Sequence, residues 1–380
     1  MSSANAVAAL PPAALELRGQ VREFLAGYSR VWTDLDRVHS WTAFDREFSR
    51  EVGKRGWIGM TWPAPFGAGR TTFERFVLQE EMLAAGAPVG AHWIGDRQSG
   101  PLILKVGTAE QKQRYLAGIA SGDISFCIGM SEPNAGSDLA AVEAHARRDA
   151  GGWRLNGTKL WSTNAQYCDV MIGLFRTAGP AREMRQAGLT QFLIELDSPG
   201  LEVRPIPDLN GTSHFNEVVF NDVFVPDDRL LGAEGEGWAQ VTSELALERS
   251  GSERFLSAFP LVTAAARAFA AKAPDQVESG DLATLGALIA ETAVLRSMSL
   301  IVAGKLERHE DPSYLAVLTK DLGAELEQRT APAVRSMFSS PPPDLRSAIE
   351  FVVRAAPTFS LRGGAREILR GITARALGVR

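Results

Sequence analysis

The sequence predicts an α+β fold in three parts: helical, then β, then helical again. Two capping-box signatures open apolar-periodic runs in the first third. Short β-prone runs punctuated by Gly, Asn, Asp and Pro fill the middle, and Ala-rich helical texture returns after Gly237. At 380 residues the chain exceeds what one hydrophobic core usually holds, so two or three sub-domains are expected. Their boundaries fall at residues 1–123, 124–232 and 233–380.

In the first part, Thr71-x-x-Glu74 and Thr108-x-x-Gln111 are spaced so that side chains satisfy the orphan amides of a helix start. They predict helices over residues 73–83 and 109–119. Gly56-Trp57-x-Gly59 and Trp62-Pro63-x-Pro65-x-Gly67 supply the breaks between helices.

In the middle part, residues 124–128, 153–155, 170–175, 192–196, 218–220 and 223–225 are the β-prone runs, as in a sandwich or barrel. Asn156-Gly157 predicts a tight hairpin turn between Trp153-Arg154-Leu155 and Lys159-Leu160-Trp161. Pro226 and Gly232 mark the exit. Helices then run to about Ala271 and over residues 281–308, 313–338 and 365–377, with Pro341-Pro342-Pro343 as a stiff connector. No internal repeat is visible.

Composition narrows the function classes. Lys+Arg 40 against Asp+Glu 45 gives a net charge of −5, which argues against a dedicated nucleic-acid binder. Cys127 and Cys168 are far apart and lack CxxC spacing, so they read as small core residues and not as a disulfide framework or zinc site. No apolar run reaches the length of a membrane span, and residues 1–12 do not read as a signal peptide. A cytoplasmic enzyme is the expectation.

Generic motifs fail. In Gly152-x4-Gly157-Thr158-Lys159 the inserted Thr158 spoils a phosphate-binding loop, and the flanks read as a hairpin. No GxGxxG follows a strand, no HExxH or GxSxG occurs, and the five histidines are scattered. Rossmann, metal and serine-hydrolase chemistry have no support.

Two segments carry the functional signal. Met130-Ser131-Glu132-Pro133-Asn134-Ala135-Gly136-Ser137-Asp138 is a strand running into a small-residue loop. Ala135 and Gly136 let backbone approach a ligand closely, and Ser131, Ser137 and exposed amides offer hydrogen bonds. Further on, Trp161 and Thr163 lie two apart on a strand, hence on one face, offering an aromatic plane and a hydroxyl together. The structural alternatives are an ordinary polar turn and a core tryptophan.

Together these segments resemble the acyl-CoA dehydrogenase family, and the resemblance covers nearly the whole chain. Gly107-Thr108-x-Glu110-Gln111-Lys112 is similar to the helix leading into that family's middle domain. Asp222-Val223-x-Val225-Pro226 and Gly235-x-Gly237-Trp238 are similar to its exit. Gly363-Gly364-x-x-Glu367-Ile368, Arg370 and Leu377-Gly378 resemble its C-terminal signature.

The resemblance implies an N-terminal helical domain, a middle β-barrel or sandwich and a C-terminal four-helix bundle. It further implies non-covalent FAD, removal of an α-proton and a β-hydride from an acyl-CoA thioester, and electron transfer to an electron-transfer flavoprotein. By that resemblance Ile128, Met130 and Ser131 line the isoalloxazine, and Trp161 and Thr163 close its other side. Ser137 meets the FAD phosphates or the pantetheine, and Glu367 belongs to the cofactor set. Ala246, Arg249 and Gly363 join Ser137 on the substrate.

Family members place the catalytic glutamate at one of two sites. Here the C-terminal site reads Leu361-Arg362-Gly363-Gly364 and lacks a carboxylate. The other reads Glu244-Leu245-Ala246-Leu247-Glu248-Arg249, which assigns the base to Glu248. Residues 272–345 lack two family segments that reach a neighbouring protomer's FAD, and Ala365 replaces the usual hydroxyl residue. The implied assemblies are a homodimer, a homotetramer or a heteromeric complex with another acyl-CoA dehydrogenase subunit. A half-site subunit, or a flavin-dependent oxidase or hydroxylase of the same fold, are the other readings.

Overall fold

The computed structural model describes residues 9–29, 32–179, 184–248 and 251–379. Helices come first: α1 (Pro12–Ser29), α2 (Asp34–His39), α3 (Arg46–Lys54), α4 (Thr72–Ala85), α5 (Gly100–Val106) and α6 (Ala109–Ser121). Strands follow: β1 (Phe126–Gly129), β2 (His145–Asp149), β3 (Gly152–Thr163), β4 (Val170–Arg176), β5 (Leu189–Glu195), β6 (Leu201–Ile206), β7 (Phe215–Pro226) and β8 (Leu230–Leu231). The chain closes with α7 (Gly237–Glu248), α8 (Phe259–Ala270), α9 (Ser279–Glu307), α10 (Ser313–Ser336), α11 (Pro343–Phe359) and α12 (Arg366–Ala376). This is the α+β class expected.

Both capping boxes form. The Thr71 and Thr108 hydroxyls accept from the Glu74 and Gln111 amides at 3.2 Å each, and the Glu74 and Gln111 side chains reach back to the cap amides. Contacts divide the chain into two compact units: residues 1–43, 70–88 and 248–380, and residues 44–69 and 89–247. Helices α1, α2 and α4 thus belong with α8–α12, whereas α3, α5 and α6 belong with the strands.

In the strand-bearing unit the sheet has eight strands, ordered β6-β7-β3-β2-β4-β5-β8, with β1 pairing parallel to β4. Rings on strands that are not neighbours meet inside it: Trp153 on β3 reaches Phe192 on β5 at 5.4 Å, and Phe175 on β4 reaches Phe220 on β7 at 5.0 Å. The sheet therefore curls around one apolar core, in which Cys127 is fully buried and Cys168 packs at the edge.

One expectation is corrected here. Asn156-Gly157 makes no hairpin turn: β3 is one twelve-residue strand, and its ladder with β7 continues through Gly157 with a register shift after Leu155. The reversal lies earlier, at Asp149–Gly152 between β2 and β3, because the long ladder with β7 outweighs the local turn preference. Strands β2, β6 and β8 and helix α11 are elements beyond those read from sequence.

In the other unit α8, α9, α10 and α11 pack against one another, and α12 lies on α10. Leu300 and Ala303 of α9 share a core with Ala14, Phe73, Phe76 and Val77. The expectation about membrane-length segments is also corrected. Among the described residues, α9 is long and apolar enough by length and composition to cross a membrane, since its few charges are spread along a helix of 29 residues. Its partners in this unit are α10, α4 and α8.

Candidate functional site

In the strand-bearing unit, β1 delivers Ile128, half-buried, and the chain leaves the strand through Met130 and Ser131. Leu160 of β3 donates its amide to the Ser131 carbonyl at 2.8 Å, which sets this exit beside Trp161. Trp161 is 53% exposed and meets Phe215 edge-on at 5.8 Å. Its φ is +63°, and it lies within a register shift between Lys159 and Ser162. Thr163 follows, half-buried and paired with Phe215, while Ser162 between them is fully buried. Ile128, Met130, Ser131, Trp161 and Thr163 are thus brought together, with the indole as their most exposed surface.

The loop after Ser131 is braced from within. Glu132 and Ala135 exchange backbone hydrogen bonds at 2.9 and 3.1 Å, and Met130 packs with Ala135, Val142, Leu174 and Leu189. Gly136, Ser137 and Asp138 form its exposed tip, where Asp138 accepts from Arg185 at 2.8 Å. Beneath the loop, Lys159 donates to Glu132 at 2.7 Å, with both side chains buried. Burial pushes the Lys159 ammonium down to about 8, against the pull of Glu132.

The other predicted residues belong to the helical unit or to α7. Glu248 is the last residue of α7, and the side chains of Glu244, Ala246 and Glu248 lie outside the described residues, as does Arg249. Gly363 adopts φ +70°, and a Cβ there would approach the Arg254 guanidinium at 2.9 Å. Only glycine takes this conformation at no steric cost. Glu367 is exposed in the first turn of α12.

Sequence reasoning passed over the polar cluster around that turn. Arg362 donates to Glu327 of α10 at 2.7 Å and to the Ser257 hydroxyl at 2.6 Å, and its guanidinium lies 4.5 Å from the Trp41 ring centroid. Lys320, about two turns earlier on α10, donates to the Phe359 carbonyl at 3.1 Å. The place where a carboxylate was sought thus holds a largely buried, ion-paired cation. No local motif signals these partners, because Trp41, Ser257 and Glu327 come from three distant stretches of the chain.

Fold and site together define a class, and comparison with known proteins gives it a name. The N-terminal domain of acyl-CoA dehydrogenases matches residues 11–123, and their middle domain matches residues 127–223. The chain belongs to the acyl-CoA dehydrogenase family, whose members are flavin-dependent oxidoreductases acting on CH–CH bonds. The acyl-CoA dehydrogenase IpdE1 of Mycobacterium tuberculosis is 34% identical over 241 residues, 62% of this chain and 62% of that protein. The chain therefore spans less than two thirds of that relative's length in the matched stretch. Among solved structures, the Tcur3481-Tcur3483 steroid acyl-CoA dehydrogenase is similar with a TM-score of 0.87 at 27% identity, covering 98% of this chain and 99% of that one. The ChsE4-ChsE5 complex from Mycobacterium tuberculosis is similar with a TM-score of 0.84 at 27% identity, again covering 98% and 99%.

The residues present fit a flavin. An exposed indole offers a plane for a flat ring, the Met130 thioether offers a soft apolar contact, and Ser131 and Thr163 offer hydroxyls to its polar edge. A Cβ at Gly136 would meet nothing within 4 Å, so the loop tip beside Ser137 is open to a ligand.

Proposed function

We propose that this chain is an FAD-dependent acyl-CoA dehydrogenase that converts an acyl-CoA thioester to the trans-2-enoyl-CoA. The observation that carries the reading is the exposed Trp161 beside Met130 and Ser131, a half-exposed tryptophan in a left-handed conformation on an otherwise well-packed sheet. FAD, when bound, supplies the acceptor for the β-hydride. Ile128, Met130, Ser131, Trp161 and Thr163 bind and orient its ring, and Ser137 and Glu367 complete the cofactor contacts.

Glu248 takes the α-proton. A backbone donor of the Gly363-Gly364 turn polarises the thioester carbonyl, where negative charge builds as that proton leaves. The arginine at position 362 is consistent with this division of labour, since a guanidinium paired to Glu327 offers no base. Ser137, Ala246 and Arg249 serve the substrate, and electron-transfer flavoprotein receives the electrons.

A second reading keeps the chemistry but divides it between chains. The absence of the two family segments from residues 272–345, and the similarity to a ChsE4-ChsE5 complex, favour a heteromeric assembly over a homodimer or homotetramer.

The test is the visible spectrum of the purified chain before and after anaerobic addition of acyl-CoA thioesters, straight-chain and steroid side-chain types included. The proposal expects a yellow protein bleached without oxygen. Protein that takes up FAD only with a second subunit supports the divided assembly. Oxygen consumption that does not need CoA overturns the dehydrogenase assignment.

A further inference from the structure

The Glu132–Lys159 pair does more than its burial explains. Lys159 is fully buried in the middle of β3, and Glu132 is 7% exposed. A buried ion pair is a poor device for stability alone, because apolar residues of similar volume often serve as well or better. Its contacts show where the charge is used. Glu132 accepts from Lys159 at 2.7 Å, from the Glu143 amide at 2.7 Å and from the Ala144 amide at 3.0 Å. The Lys159 ammonium also reaches the Met130 carbonyl at 3.4 Å and lies 4.9 Å from the Phe175 ring centroid.

Both ends of the loop therefore converge on one carboxylate, from the Met130 side through Lys159 and from the Val142 side through two amides. Arg176 secures the returning segment, donating to the Ala140 and Val142 carbonyls at 3.0 Å each. Gly129 lets the chain pass close by: a Cβ there would stand 2.4 Å from the Met171 sulfur and 3.3 Å from the Lys159 side chain. The register shift after Lys159 then turns β3 so that Lys159 points inward and Trp161 outward.

We propose that Glu132 and Lys159 are positioning residues for the flavin-binding surface: one buried ion pair fixes Met130 and Ser131 on one side and the bulge presenting Trp161 on the other. This rests on the flavin reading of the site. The pair touches no ligand itself. It holds the backbone from below, so that the binding surface exists before a ligand arrives and binding loses little to ordering.

The test uses the full-length chain, with and without FAD, comparing wild type with Glu132→Gln and with the neutral double variant Glu132→Gln/Lys159→Met. The double variant leaves no unpaired buried charge, so it keeps the fold testable. Amide hydrogen exchange of the FAD-free chain should rise at least about tenfold within residues 130–144 and 157–163, while β4 and β5 keep their protection. FAD affinity of the double variant should fall by about tenfold or more at a thermal midpoint close to wild type. Unchanged exchange in the loop, or FAD affinity that merely follows the thermal midpoint across the variants, overturns the positioning role. Failure of the wild-type chain to bind FAD while the loop still loosens in the variants overturns the flavin reading and leaves the bracing role standing.

Discussion

Lys159 and Trp161 stand two residues apart on the same strand, yet Lys159 is fully buried and Trp161 is 53% exposed. In regular β-structure residues two apart share a face. The register shift between Lys159 and Ser162 breaks that rule, and Trp161 takes φ +63° to accomplish it. Left-handed backbone is costly for a bulky residue, and such conformations cluster at binding sites. The strand spends local strain to expose an indole.

That strain is measurable. Trp161→Gly should be more stable than Trp161→Ala by about 1 kcal/mol, reversing the usual order of the two residues in structured segments. Both should bind FAD more weakly than wild type while remaining folded, because the indole is 53% exposed and its ring contact is with Phe215 at the surface of the sheet. Urea unfolding and FAD titration of the two variants check the pair of statements; an alanine variant as stable as the glycine variant removes the strain argument.

Arg362 and Glu327 form a second buried pair, with side chains 12% and 1% exposed. Arg362→Met strands the Glu327 carboxylate, and breaking a buried pair in this way costs about 3–5 kcal/mol. Adding Glu327→Gln should recover much of the loss, since glutamine still accepts from the Ser257 amide that bonds Glu327 at 2.8 Å. Denaturant unfolding of wild type, single and double variants reads the coupling directly.

His92 predicts an acid-sensitive step. It is buried, its Nδ1 lies 2.8 Å from the Ser49 hydroxyl, and burial lowers its pKa to about 4 from the usual 6.5. Between those values the unfolded chain binds more protons than the folded one, so stability falls as pH drops below 6.5. The full effect is on the order of 3 kcal/mol. Comparing unfolding free energies at pH 7 and near pH 4.5, His92→Gln should show a shallower decline than wild type; an identical decline assigns the acid sensitivity elsewhere.

The fold was legible where its signals are local. Thr71 and Thr108 announce their helices because each box is closed by a side chain three residues away. Asn156-Gly157 misled for the complementary reason. Its turn preference is local, but the ladder joining Gly157 to Phe220 is not, and the ladder won. Helix α11 was hidden behind Pro341-Pro342-Pro343, although Pro343 serves as its first residue, where a missing N–H costs nothing.

The candidate site divides along the same line. Met130, Ser131, Trp161 and Thr163 stand in two short motifs and could be picked out by position. Lys159 and Glu132 are separated by 27 residues, and Arg362 and Glu327 by 35. Nothing near either residue in sequence marks its partner. A lysine opening a short β-prone run was visible; that it lies in mid-strand and turns inward depends on a long ladder and a bulge that periodicity does not foresee.

The central claim is that Glu248 removes the α-proton in an FAD-dependent dehydrogenation. Anaerobic stopped-flow measurement of flavin bleaching tests it most directly, comparing wild type with Glu248→Gln at saturating acyl-CoA. Glutamine keeps the side-chain volume but accepts no proton, and loss of a general base usually lowers a rate by roughly 10²–10⁴-fold. A slowing of that size is expected in a variant that remains yellow and still binds acyl-CoA. Bleaching at the wild-type rate contradicts it.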